Sequence, residues 1–152
     1  SDNAKISIVE DPDNKDNHVY LVKGNAGKNW SYFRYVCIFK PGKTYKIEYD
    51  VRLIGKGEDT SGEDSDCQTS IHCNMRYSDS QGKTDHISGA NDGASMAVGL
   101  KVSDGWKHVS FEYTVDAGST LRDNDQFSVY ANPVGEESAN YYIDNIVVTE
   151  LE

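Results

Sequence analysis

Side chains able to do chemistry are plentiful in this 152-residue chain, but their spacing matches no common catalyst. The four histidines, His18, His72, His86 and His108, are scattered, and no two sit at ligand spacing. No G-x-S-x-G elbow, H-E-x-x-H pair, phosphate-binding P-loop or G-x-G-x-x-G turn occurs. Asp and Glu total 25, enough to supply an acid–base pair, yet no two are singled out by pattern. Three cysteines allow at most one intrachain disulfide. Cys67 and Cys73, six apart, would share a face of one continuous strand about 20 Å apart, too far to bridge. They read as small buried hydrophobes, with Cys37 to Cys73 across neighbouring strands as the alternative. Zinc is not expected, since no Cys-x-x-Cys occurs.

The aromatic side chains say more. Ten Tyr, two Trp and four Phe, with 13 Gly and only three Pro, suit a binding surface better than a helical enzyme. Tyrosine offers a ring to stack on and a hydroxyl to hydrogen-bond. With 15 basic against 25 acidic residues, the net charge is −10, which argues against nucleic acid and anionic membrane surfaces. The apolar runs are short, Ile146-Val147-Val148 being typical, so no segment can span a bilayer. No apolar signal region opens the chain at Ser1, so a secretion signal is expected to lie outside it, and the chain reads as a processed form or an excised domain.

The elements that must position these residues alternate with period two. Strands are predicted over 5–9, 18–22, 30–39, 44–53, 69–77, 84–87, 106–115, 126–131 and 140–151. The run 44–53 is the clearest: Tyr45, Ile47, Tyr49, Val51 and Leu53 face one way, and Lys46, Glu48, Asp50 and Arg52 the other. It is expected to pair with the strand that begins at Trp30. In 69–77, Ile71, Cys73, Met75 and Tyr77 share a face, opposite His72, Asn74 and Arg76. Segments 55–66 and 88–95 read as loops; the acidic first of them is a solvated surface, with calcium capture as the sharper alternative. No helical stripe is present. One domain, 1–152, is expected, an all-β sandwich of two antiparallel sheets.

Four segments carry a family resemblance. Phe39-Lys40-Pro41-Gly42-Lys43-Thr44-Tyr45-Lys46-Ile47 resembles the signature L-x-P-G-K-T-Y-x-F of non-catalytic carbohydrate-binding modules, the xylan and β-glucan binders of families four, nine and twenty-two. In the same order, 18–24 resembles x-Y-S-L-x-V-T-G, 104–110 resembles D-G-x-W-x-x-V-S, and Tyr141-Tyr142-Ile143-Asp144-Asn145-Ile146 resembles F-Y-I-D-D-V. The family's opening strand, which ends in Phe-Glu, has no counterpart, because 5–9 matches the strand that follows it.

The resemblance implies a jelly-roll sandwich with a concave sugar-binding cleft. Sugar rings present CH faces to aromatic rings and hydroxyls to polar groups. Trp30 falls where family twenty-two has a stacking Trp, His86 near its second stacking aromatic, and Asn132 where a binding Glu or His stands. Tyr32, Arg34, Asn74, Arg76 and Tyr130 join them by strand parity. The terminal motif's Asp, here Asp144, helps ligate a structural calcium in the family. The expected function is therefore non-catalytic capture of a soluble plant polysaccharide, xylan or a mixed β-glucan. The module would be a secreted or cell-surface bacterial monomer, covalently attached to a xylanase or related hydrolase whose substrate it concentrates. The alternative is a structural or protein-interaction sandwich without a sugar site.

Overall fold

The structure is a computed structural model that describes residues 4–24, 31–82, 85–87, 98–120 and 126–152; of 85–87, 126 and 127 only the backbone is described. Ten strands and one 3₁₀ turn follow in chain order. They are β1 (Ala4–Asp11), β2 (Asn14–Gly24), β3 (Ser31–Val36), β4 (Thr44–Lys56), β5 (Gln68–Arg76), β6 (Asp85–Ile87), β7 (Val98–Lys101), the turn Val102–Asp104, β8 (Lys107–Thr114), β9 (Gln126–Ala131) and β10 (Ala139–Leu151). No α-helix occurs among the described residues.

The strands form two antiparallel sheets. The first runs β1-β2-β10-β4-β8 and the second β3-β9-β5-β6, with β7 also on β5. Alternation builds the core between them. In β4, Tyr45, Ile47, Tyr49, Val51 and Leu53 are all at most 4% exposed, and the residues between them are half-buried. The second sheet answers with Phe33, Ile71, Cys73, Met75 and Val129. One tyrosine ties the layers: Tyr141 of β10 donates its hydroxyl to the carbonyl of Ser31 in β3 at 2.9 Å, and lies 3.3 Å from that of Val129 in β9.

Two expectations change. β3 pairs with β9 in the second sheet, whereas β4 lies between β10 and β8 in the first. Strand 44–53 is therefore not the partner of the strand after Trp30. Strand β7 is an addition; four residues with a Gly among them are too few for alternation to register. The cysteines Cys37, Cys67 and Cys73 are all thiols outside any disulfide, so the 37–73 bridge does not form, and burial raises the Cys73 thiol far above its ordinary pKa.

Candidate ligand-binding face

Register decides which side chains meet on the outside of the second sheet. Directly opposed residues share a face, and β3, β9 and β5 place Tyr32, Tyr130 and His72 in one cross-strand row. Arg34, Ser128 and Asn74 form the next row. Arg76 follows at the end of β5, opposite Gln126. Five residues expected at the site, Tyr32, Arg34, Asn74, Arg76 and Tyr130, thus stand together although they come from three distant stretches of chain. Trp30 lies outside the described residues. His86 stands in β6 with its backbone opposite Met75, and its side chain is likewise not among those described.

The row is tightly packed. The His72 ring stacks on Tyr130 with centroids 5.1 Å apart and planes 9° apart. Tyr32 lies on the other side of Tyr130, also at 5.1 Å, and the Arg34 guanidinium sits 5.7 Å from the Tyr32 centroid. Tyr130 is consequently 3% exposed. Its faces are taken by its neighbours, so it supports the row and offers no platform of its own; Tyr32 is the ring left half-open. His72 is the residue that sequence reasoning did not nominate. The signal was present, because it shares strand parity with Asn74 and Arg76.

Asn132, just after β9, joins this row to a hollow. Its backbone N–H donates to the Ser70 carbonyl at 3.1 Å, and its carbonyl accepts the Thr69 hydroxyl at 2.8 Å. Its side-chain Nδ2 lies 3.1 Å from His72 Nε2. That contact requires an unprotonated Nε2, and burial lowers the His72 pKa in agreement. The hollow beyond, about 630 Å³, is bounded by Gln68, Ser70, Gly99, Lys101, Asp104 and Asn132. Three buried atoms on or beside this face, Asn74 Oδ1, Ser128 Oγ and Asn132 Oδ1, have no hydrogen-bond partner among the described residues. Buried polar atoms without partners are rare in folded proteins, and an enclosed water is one way of satisfying them.

On the first sheet, Asp144 stands opposite Asp50 just before a bulge, and Asn145 takes a left-handed φ of 51° there. Asn17 donates its Nδ2 to Asp144 Oδ2 at 3.0 Å and reaches Asp11 Oδ2 at 3.3 Å. The amide therefore occupies the place between two carboxylates that a cation would take. The oxygen donors are right in kind for calcium, but among the described residues no three Asp, Glu, His or Cys side chains converge closely enough to hold a metal. The arrangement as it stands does not fit a calcium cage.

Catalysis has no better support here. His108 Nδ1 lies 2.7 Å from Asp50 and its Nε2 3.4 Å from Glu48, so both ring nitrogens face carboxylates. These bonds raise the His108 pKa, the Asp50 contact first.

Comparison with known proteins places the fold. No protein-family model matches the chain, and no curated protein matches it. Solved structures do. The chain superposes over its full length on the Clostridium thermocellum endo-1,4-beta-D-xylanase 10B CBM22-1-GH10 modules complexed with xylohexaose, at a TM-score of 0.67 and 14% identity. It resembles carbohydrate-binding modules. It spans 25% of that xylanase chain. A family 16 carbohydrate-binding module matches over 97% of this chain and 86% of its own, at a TM-score of 0.53 and 14% identity. An arabinose-bound GH51 α-L-arabinofuranosidase matches at 0.67 and 11% identity, over 99% of this chain and 22% of its own. At such identities the likeness establishes the β-sandwich fold shared with these modules. Among the described residues no helix is long and apolar enough to cross a membrane.

Proposed function

We propose that this chain is a non-catalytic glycan-binding module whose ligand lies across the outer face of the second sheet. The observation that carries the reading is the continuous run from Arg34 and Tyr32 through His72 to Asn132, ending in a 630 Å³ hollow. A sugar chain would stack on Tyr32 and on Trp30, with its hydroxyls toward Asn74, Asn132 and Arg76. His86, whose register partner Met75 faces the core, enters the proposal through the family resemblance alone. Xylan is the first candidate, because the superposed xylanase module was solved with xylohexaose, and a mixed β-glucan the second. The module would act by holding an attached, secreted bacterial hydrolase near its substrate, itself remaining monomeric.

The test is isothermal titration of xylo- and cello-oligosaccharides, with affinity gels over soluble xylans, β-glucans and mannans. Wild type is expected to bind with Kd in the range of roughly 10–100 µM, or about −5.5 to −7 kcal/mol. Trp30→Ala and Tyr32→Ala should each weaken binding about tenfold or more while remaining folded. Failure to bind any of these polysaccharides returns the chain to the structural alternative, a sandwich without a sugar site.

Calcium at Asp144 is a separate proposal, supported by the sequence motif at 141–146. It requires Asn17 to give up its position between Asp11 and Asp144 and turn its amide oxygen to the ion.

A further inference from the structure

The two outer faces of the sandwich differ in charge. In a chain of net charge −10, the outer face of the first sheet presents Glu48, Asp50, Glu112 and Asp144. The second sheet is the reverse. Among the described side chains that point outward from β3, β9 and β5, none is acidic, and the permanent charges are those of Arg34 and Arg76. The two faces are separated by a core about 10 Å thick. Solvent-exposed charges that far apart are largely screened in physiological salt, where the Debye length is about 8 Å. The second face can therefore be locally positive although the chain as a whole is acidic.

Arg34 is the cleaner case, because β6 sets Asp85 opposite Arg76. Arg34 is exposed, and no carboxylate among the described residues pairs with it. Its guanidinium sits instead 5.7 Å from the centroid of Tyr32, the half-open ring two residues earlier on the same strand. Residues i and i+2 lie about 7 Å apart on one face, so a pyranose stacked on Tyr32 has its substituents beside this cation. A guanidinium is a planar fork of N–H donors that a carboxylate meets with two parallel bonds. The other end of the face is balanced. There Lys101 stands at the hollow with Asp104, whose carboxylate accepts the Lys101 backbone N–H at 2.8 Å. Positive charge without an acidic neighbour is thus confined, among the described residues, to the end that carries Tyr32.

We propose that the glycan bound on this face is acidic: a uronic acid unit stacks on Tyr32 with its carboxylate on the Arg34 guanidinium, and Arg76, one row further along, adds a second positive charge. The inference rests on the glycan-binding reading above and narrows it to a carboxylate-bearing polysaccharide. Uronosyl branches on a xylan backbone and a backbone made of uronic acids both present this group.

The experiment is isothermal titration of the intact chain in EGTA, which removes calcium as a bridge between two acidic partners. Two pairs of ligands are compared: linear xylotetraose with its glucuronosyl-branched form, and a galacturonic acid tetramer with its methyl ester. The carboxylate form should bind about fivefold or more tightly than its uncharged counterpart, in the first pair if a branch supplies the group and in the second if the backbone does. Arg34→Gln should bring the two forms of that pair to within about twofold of each other, with folding checked by thermal melting. Lys15→Gln, which removes an exposed charge from β2, should leave the preference intact, and so separate the site from a change in net charge. Equal binding of charged and uncharged forms in both pairs overturns the proposal and leaves the glycan-binding reading standing. A preference that survives both Arg34→Gln and the double variant Arg34→Gln, Arg76→Gln also overturns it, because the carboxylate then sits elsewhere. Binding of none of the four ligands overturns the proposal together with the reading on which it rests.

Discussion

Two fully buried tyrosines separate the cost of burying a hydroxyl from the cost of burying a ring. Tyr49 and Tyr141 are both 0% exposed. Tyr49 Oη has no hydrogen-bond partner among the described residues, whereas Tyr141 Oη donates to the Ser31 carbonyl across the sandwich. A buried hydroxyl left unpaired costs about 1–3 kcal/mol, and a made hydrogen bond contributes about 1 kcal/mol net. Tyr49→Phe should therefore stabilise the fold by about 1 kcal/mol, after a small loss of packing where the oxygen stood. Tyr141→Phe should destabilise it by about 1–2 kcal/mol, because the Ser31 carbonyl loses its donor. Together the two variants should differ by about 2–3 kcal/mol, or roughly 4–12 °C in Tm for a domain of this size. Urea unfolding followed by tyrosine fluorescence and circular dichroism would measure both, and unchanged m-values would show that stability alone had moved. If Tyr49→Phe lowers stability by 1 kcal/mol or more, its hydroxyl has a partner, and the assignment of an unpaired group in the core is wrong.

Asn140 is 0% exposed, accepts from the Gly24 N–H at 2.9 Å, and donates to the carbonyls of Gly57 and Asp59 at 2.8 and 2.9 Å. Asn140→Ala should cost about 3 kcal/mol in urea unfolding, and Asn140→Asp should not restore it, since a carboxylate cannot donate. Burial lowers the pKa of His72, so its contribution to stability is complete above its unfolded pKa of about 6.5 and is lost as pH falls toward the folded value. Wild type should lose more stability between pH 7.5 and pH 5.5 than His72→Gln does, and parallel curves would refute the assignment. His108 has the opposite sign: its raised pKa favours the fold at low pH and its contribution fades as pH rises, and His108→Gln should change that limb only slightly because the ring is exposed. If calcium binds at Asp144, EGTA should lower Tm in wild type and have no effect on Asp144→Asn; a wild-type Tm indifferent to EGTA removes calcium from the account.

What alternation alone could determine was the class of element and the face of each residue, because both are local. Period-two spacing at 44–53 identified β4, and its five apolar side chains are indeed in the core. The same parity placed Tyr32, Arg34, Asn74, Arg76 and Tyr130 on the outward side of their strands. The identity of neighbouring strands is a different kind of information, since pairing joins segments far apart and any alternating strand can in principle pair with any other. Only the tertiary structure set β9 between β3 and β5, and so assembled one row from residues 32, 130 and 72. That row brought in His72 and closed the faces of Tyr130, turning an expected ligand contact into a support. Likewise the motif at 141–146 pointed to Asp144, but Asn17, 127 residues away, sets what surrounds its carboxylate. Trp106 belonged in the sequence to the segment 104–110 that resembles D-G-x-W-x-x-V-S; its place beside Tyr142 came from packing, which depends on the whole chain.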